Sequence, residues 1–177
     1  GKYAIGSGAE WNPGTDYDDP EQRTKMLESV RQMVLDHKDE SYLLMWVLGN
    51  ENVYGVACNA DKKPESFFKF VNEVARFIKS LDPDHPVAIA SGDTLYLDKF
   101  AKYATDVDIY GANVYRGEAG FGDFWQSVKD LADKPAFITE YGCPAYVYCF
   151  SRQKAEKAQA EYLVGNWEDI MDNSAFQ

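Results

Sequence analysis

The sequence predicts an α/β fold of the (β/α)8 TIM-barrel kind, incomplete in this chain, and three observations carry that reading. Short apolar runs alternate with stretches of helical spacing four times along the 177 residues, the pattern of a parallel sheet joined by helices. Two of those runs, Leu43-Leu44-Met45-Trp46-Val47-Leu48 and Pro135-Ala136-Phe137-Ile138-Thr139, lead into glutamates, Glu51 and Glu140. The two glutamates stand three βα units of about thirty residues apart, so an eight-stranded barrel would set them across its mouth. That mouth is formed by the C-terminal strand ends, where such barrels build their active sites.

The elements follow in order. Tyr3-Ala4-Ile5-Gly6 reads as the tail of a strand, and the loop over 7–18 holds Glu10, Trp11, Asn12 and the acidic pair Asp16 and Asp18. No glycine and distal glutamate stand at the offsets of a calcium loop, so these acids, with Asp19, read as solvated loop and helix cap. Asp19 before Pro20 is an N-cap and first helical position. Met26, Leu27, Val30, Met33 and Val34 then recur at helical spacing to about His37. The run from Leu43 to Leu48 suits a strand buried on both faces, which presents Asn50 and Glu51 where the chain leaves the sheet.

A second helix from Pro64 carries the apolar stripe Phe67, Phe68, Val71, Val74, Ala75 and Ile78. The turn over 81–86, with a structural His85, delivers a strand over 87–90 that leads to Ser91. A short helix over 97–103 precedes a strand over 107–115, whose end carries Asn113 and Tyr115. The glycine-rich loop over 116–122 lacks the strand-turn-helix form of a dinucleotide fingerprint and reads as a flexible cover for a cleft. A helix over 124–131, the strand ending at Glu140 and an aromatic loop with Tyr146, Tyr148 and Phe150 follow. Ser151 caps a long final helix through Ala155, Ala158, Tyr162, Leu163 and Trp167.

Four clear strands and one more fall short of a closed barrel, which takes about 250 residues. The expectation is one partial domain over residues 1–177, with the first and last strands of the barrel absent. An unclosed parallel sheet leaves edges and a face uncovered, so further barrel segments or a second copy of the chain would complete it.

Composition narrows the function. At 45% hydrophobic and 15% aromatic residues the chain is expected to fold rather than stay disordered. A net charge of −11 without a basic patch argues against nucleic acid and against an anionic membrane. No apolar run approaches the ~20 residues of a membrane helix, and no signal peptide or glycosylation sequon is read, so the expectation is a soluble chain of open compartment. Cys58, Cys143 and Cys149, with His37 and His85, lack metal-ligand spacing, so neither a metal nor a cofactor is expected. Cys143 and Cys149 read as buried free thiols, or as a pair if their loop folds back.

Two glutamates at strand ends are what a two-carboxylate mechanism requires. Singly, each reads equally well as a cap on the helix that follows it. Together, with Asn50 and Tyr115 beside them, they favour chemistry. Trp46 reads as core, whereas Trp11, Trp125 and Tyr146 sit in or beside loops at the mouth and read either as stacking platforms for a ligand or as plain packing.

Trp46-Val47-Leu48-Gly49-Asn50-Glu51, together with Ile138-Thr139-Glu140-Tyr141-Gly142, resembles the clan of retaining β-glycosidases with (β/α)8 barrels. Within it the chain is most similar to glycoside hydrolase family 2, which includes β-galactosidases and β-glucuronidases, and the similarity spans nearly the whole chain. The resemblance implies that Glu51 is the acid/base and Glu140 the nucleophile. It implies too that Asn50 binds the sugar 2-hydroxyl and that Tyr115 hydrogen-bonds the nucleophile. Asn113, Trp11 and Tyr146 complete the candidate substrate-binding set. A basic residue of the first strands and a tryptophan of the eighth would lie outside this chain.

The implied reaction is hydrolysis of a β-glycoside or oligosaccharide by double displacement. A carbohydrate-binding or inactive fragment, or a transglycosylase acting on β-glucans, stands as the alternative. A doubly wound nucleotide-binding protein is disfavoured by the absence of a phosphate loop.

Overall fold

The computed structural model describes residues 15–54, 60 and 62–173. The strand expected at Tyr3-Ala4-Ile5-Gly6 and the residues Glu10, Trp11, Asn12 and Cys58 lie outside them. The elements run α1 (Pro20–His37), β1 (Trp46–Leu48), α2 (Pro64–Leu81), β2 (Val87–Gly92), α3 (Leu97–Tyr103), β3 (Ile109–Asn113), α4 (Phe124–Ala132), β4 (Ala136–Glu140) and α5 (Arg152–Asn173). The four strands are parallel and lie in the order β1-β2-β3-β4. A doubly wound sheet reverses its strand order at a switch point. No reversal occurs among these strands, and α1 to α4 pack one against the next in a row. That is the arrangement of a (β/α) barrel, strands inside and helices outside.

Local chemistry sets the helix ends. Asp19 accepts hydrogen bonds from the N–H groups of Glu21 and Gln22 at 2.8 and 3.2 Å, and Pro20 starts α1 where no intrahelical donor is needed. Lys63, the residue before α2, sits between Asp16 and Asp18 at 3.0 and 2.9 Å and offsets part of the charge of the acidic cluster. The α2 stripe is buried throughout, and its Phe67 meets Tyr17 and Phe68 edge-on.

Register divides the sheet into two faces. Trp46, Leu48, Val87, Ile89, Tyr110 and Ala112 face the helices and join the core, where Tyr110 packs on Phe100 and Phe124. Val47, Ala88, Ala90, Gly92, Gly111 and Asn113 share the opposite face. The second face is built from small residues because it is crowded: a Cβ on Gly111 would stand 2.7 Å from the Phe137 ring. Asn113 therefore belongs to the interior surface, not to the helix layer.

Three expectations require correction. The run from Leu43 to Leu48 is not a strand buried on both faces: β1 has three residues, Leu44 is 73% exposed and Val47 is 43% exposed. β1 is an edge of the described sheet, and only its helix-facing residues find cover. Cys143 and Cys149 are free, but half-buried and exposed rather than buried, because their loop runs over the surface with Tyr146 and Tyr148. The loop over 116–122, expected as a free cover, is tied to α5 by hydrogen bonds. Its Gly117 carbonyl accepts from Asn166 at 2.9 Å, its Gly117 N–H donates to Tyr162 at 3.0 Å and its Phe121 N–H donates to Asp169 at 2.8 Å. The glycines serve that close docking on α5, since a Cβ on Gly120 would stand 2.0 Å from Asp169 and one on Gly165 would stand 2.0 Å from the Glu118 carbonyl.

Trp46 is core, as its strand position implies. Its indole N–H donates to the buried Asp82 at 2.8 Å. Burial disfavours ionised Asp82, but the Trp46 indole, the His85 ring and the Asp84 N–H together outweigh it and hold the carboxyl below the usual carboxylate range. Asp82→Asn is expected to cost about 2 kcal/mol of stability at neutral pH, read as a lower urea midpoint. A depressed folded-state pKa contributes stability that is present above the unfolded value, about 4, and lost as pH falls through the folded value. The gap between wild type and variant should therefore close on acidification below about pH 4, and not on alkalinisation.

Candidate active site

Glu51 and Glu140 stand at the C-terminal ends of β1 and β4, the two outer strands of the described sheet. Gly49 and Glu51 both take positive φ, +68° and +51°, so the chain turns sharply as it leaves β1. For Glu51 this left-handed conformation is strained, and strain of that kind concentrates at functional positions. Surrounding bonds hold it there. The Glu51 N–H donates to the Ala90 carbonyl at 3.0 Å, and the Asn50 N–H donates to the buried Asn52 at 3.0 Å.

At the other edge, the pairing of β3 with β4 slips by one residue. Ala112 pairs with Ile138 but Asn113 pairs with Glu140, leaving Thr139 as the extra residue of a bulge. The slip places Glu140 beside Asn113, and the Val114 N–H donates to the Glu140 carbonyl at 2.8 Å. It also turns Thr139 inward, where its hydroxyl donates to Asn113 Oδ1 at 2.5 Å.

Asn113 is 2% exposed and joins the two ends. While its Oδ1 accepts from Thr139, its Nδ2 donates to Asn50 Oδ1 at 3.2 Å. The residue before Glu51 and the residue before Glu140 are thus tied to one buried amide. Tyr115, 56% exposed, donates its hydroxyl to Glu140 Oε2 at 2.8 Å. That bond to the carboxylate, more than burial and the charges of Glu140 and Glu51, pushes the phenol above its ordinary value. Tyr115 remains a protonated donor well into the alkaline range.

Five of the seven residues singled out from the sequence therefore converge: Asn50, Glu51, Asn113, Tyr115 and Glu140. Asn113 spends its amide on Asn50 and Thr139. Tyr146 stands 77% exposed on the loop after β4, with no hydrogen bond among the described residues tying it to this group. Trp11 lies outside the described residues. Trp125 is not a platform at the mouth: it is buried against Phe121 and Phe124, and its indole N–H donates to Asp169 at 2.6 Å. Ser91 is buried on the helix-facing side of β2.

Sequence reasoning missed Thr139, Tyr54 and an ion pair beside the site. Arg116, just beyond β3, grips Asp93, just beyond β2, with bonds of 2.6 and 2.9 Å, and also reaches Asp123 and the Phe121 carbonyl. Asp93 first, then Asp123, hold the guanidinium in its charged form. A lone aspartate one residue past β2 and a lone arginine three residues past β3 were the available signal. Among the described residues, no group of three or more His, Cys, Asp or Glu is placed to hold a metal ion. No helix among them is long and apolar enough to cross a membrane.

Comparison with known proteins agrees with this architecture. The profile of the glycosyl hydrolases family 2 TIM barrel domain matches residues 4–172. A β-D-glucuronidase from Dictyoglomus thermophilum superposes with a TM-score of 0.68 at 19% identity, covering 87% of this chain and 27% of its own. A family 2 β-galacturonidase from Eisenbergiella tayi, bound to galacturonate, gives 0.63 at 21% identity over 86% of this chain and 27% of its own. The endo-1,4-β-D-mannanase of Thermotoga petrophila gives 0.57 at 18% identity, over 87% of this chain and 55% of its own. At these identities the structures establish a shared fold. The chain spans about a quarter of the length of the glucuronidase and the galacturonidase.

Proposed function

The chain belongs to the glycosyl hydrolases family 2 TIM barrel domain family, and from that premise we propose that its strand ends carry the catalytic centre of a retaining β-glycoside hydrolase. The observation that carries the proposal is the amide link from Asn50 through Asn113 to Thr139, which yokes the two glutamate-bearing strand ends. Helix capping alone gives no reason for such a link.

Chemistry follows from the bonds already made. Tyr115 occupies Glu140 Oε2, leaving Oε1 to attack the anomeric carbon. As that bond forms, the bond to the leaving oxygen breaks and Glu51 gives the departing oxygen its proton. In the second step Glu51 takes a proton from water, the hydroxide attacks the anomeric carbon, and Glu140 departs as carboxylate. Two inversions return a β product. With its Oδ1 committed to Asn113, Asn50 would use its Nδ2 to donate to the sugar 2-hydroxyl, a contact that strengthens in the oxocarbenium-like transition state. An acceptor sugar in place of water at the second step would give transglycosylation.

The glycone is first sought among the sugars named by the similar structures, β-glucuronides, β-galacturonides and β-mannosides. The test is the anomer released first, followed by proton NMR during hydrolysis of the 4-nitrophenyl β-glycosides. β-sugar appearing before α-sugar supports the proposal; α-sugar first would overturn it. The alternative is that this chain binds the glycoside without cleaving it. Binding by calorimetry with no product at any time would support that one.

The role of Asn113 has its own expected outcome. Asn113→Ala frees the Asn50 amide, so kcat should fall about 10- to 100-fold, as for loss of one oriented donor, with KM little changed. Asn50→Ala in the same background should add little, because both remove one interaction.

A further inference from the structure

Tyr54 lies on the turn that follows Glu51, its N–H donating to the Glu51 carbonyl at 3.0 Å. The turn lays the ring on the end of β2. A Cβ on Gly92 would stand 2.2 Å from Tyr54 Cε2 and 2.7 Å from Cζ, so the ring rests directly on the glycine backbone. Gly92 pairs in register with Asn113, which places this seat against the amide link between the catalytic strand ends.

Despite the seat, Tyr54 remains 48% exposed. A single exposed aromatic is unremarkable in itself. This one is held on one side against Gly92, where any larger residue would displace it, and the rest of its surface stays open on the turn that carries Glu51. Its phenol is pushed up, first by burial and then by the charges of Glu51 and Asp93. A fixed, flat, half-open aromatic surface is what the apolar face of a sugar or an aryl ring stacks on.

The side on which it lies decides what it would hold. Glu51 must reach the oxygen between the glycone and the leaving group. Tyr54 shares the Glu51 turn and sits over β2, two strands from the nucleophile strand. We propose that Tyr54, seated on Gly92, is the platform for the leaving group, a carbohydrate or aryl aglycone stacked beside the acid/base. The proposal rests on the reading of Glu51 as acid/base.

The test compares two substrates of one glycone: a 4-nitrophenyl β-glycoside, whose leaving group can stack, and the β-glycosyl fluoride, whose leaving group cannot. Both give the same glycosyl-enzyme, so the ratio of their kcat/KM values isolates the leaving group. Tyr54→Ala in the intact polypeptide should lower the aryl-to-fluoride ratio about tenfold, the worth of one aromatic contact. Tyr54→Phe should preserve the ratio. Gly92→Ala keeps the tyrosine but unseats it, and should lower the ratio in the same direction. An unchanged ratio in a turning-over Tyr54→Ala enzyme would overturn the proposal, as would equal losses on both substrates, which would place the ring against the glycone. No turnover of either substrate by the wild type would instead sink the hydrolase reading, and this inference with it.

Discussion

Glu140→Ala is expected to abolish turnover, with kcat reduced by about 10⁵-fold, on the scale seen when a nucleophile that forms a covalent intermediate is removed. The geometry makes the further prediction more telling. Removing the carboxylate opens space beside the Tyr115 hydroxyl, and azide entering there can attack the anomeric carbon directly while Glu51 still protonates the leaving oxygen. One inversion replaces two, so the rescued product is the α-glycosyl azide. Its anomer is read by NMR. A Glu140→Ala variant that keeps more than a few per cent of wild-type activity, or a β-azide, would remove Glu140 from the nucleophile's place.

The second large effect is at Glu51, and it depends on the leaving group. Glu51→Ala should lower kcat/KM on a phenyl glycoside by about 10³-fold, within the range for loss of a general acid, and much less on a dinitrophenyl glycoside, which needs no proton to depart. Deglycosylation then becomes slow, because no base remains to activate water. Azide, already an anion, relieves that step and gives the β-glycosyl azide. Opposite azide anomers from the two variants would assign the two roles independently. Equal losses across all leaving groups would make Glu51 a binding residue and not an acid.

Much of the architecture was legible because its signals were local. Asp19-Pro20 and Pro64 mark the starts of α1 and α2, and the stripe from Phe67 to Ile78 is the buried face of α2. The glutamates at strand ends were legible for a similar reason: charge following an apolar run marks the point where a strand leaves a sheet.

Distance in sequence hid the rest. Trp125 looked like a loop aromatic because the carboxylate that receives its indole, Asp169, lies on α5, 44 positions away. The glycines between Arg116 and Phe124 suggested motion, yet they permit a close approach to α5 that no local pattern announces. A strand's edge position is likewise invisible in its own residues, so Val47 was expected to be buried. Thr139 became meaningful only with the bulge that leaves it unpaired beside Asn113, and a one-residue slip cannot be read from composition. Tyr54 passed unnoticed because its seat, Gly92, belongs to a different strand.

The central claim is that Glu140 bonds to the sugar, and trapping that bond tests it most directly. In a 2-deoxy-2-fluoro β-glycoside the fluorine slows both steps while an activated leaving group restores the rate of the first, so the glycosyl-enzyme accumulates and can be weighed intact and mapped by peptide mass. One sugar per chain is expected, carried on the peptide that contains Glu140, with loss of the adduct in Glu140→Gln. An adduct on Glu51 or any other carboxylate, or turnover that leaves no covalent sugar on the protein, would contradict it.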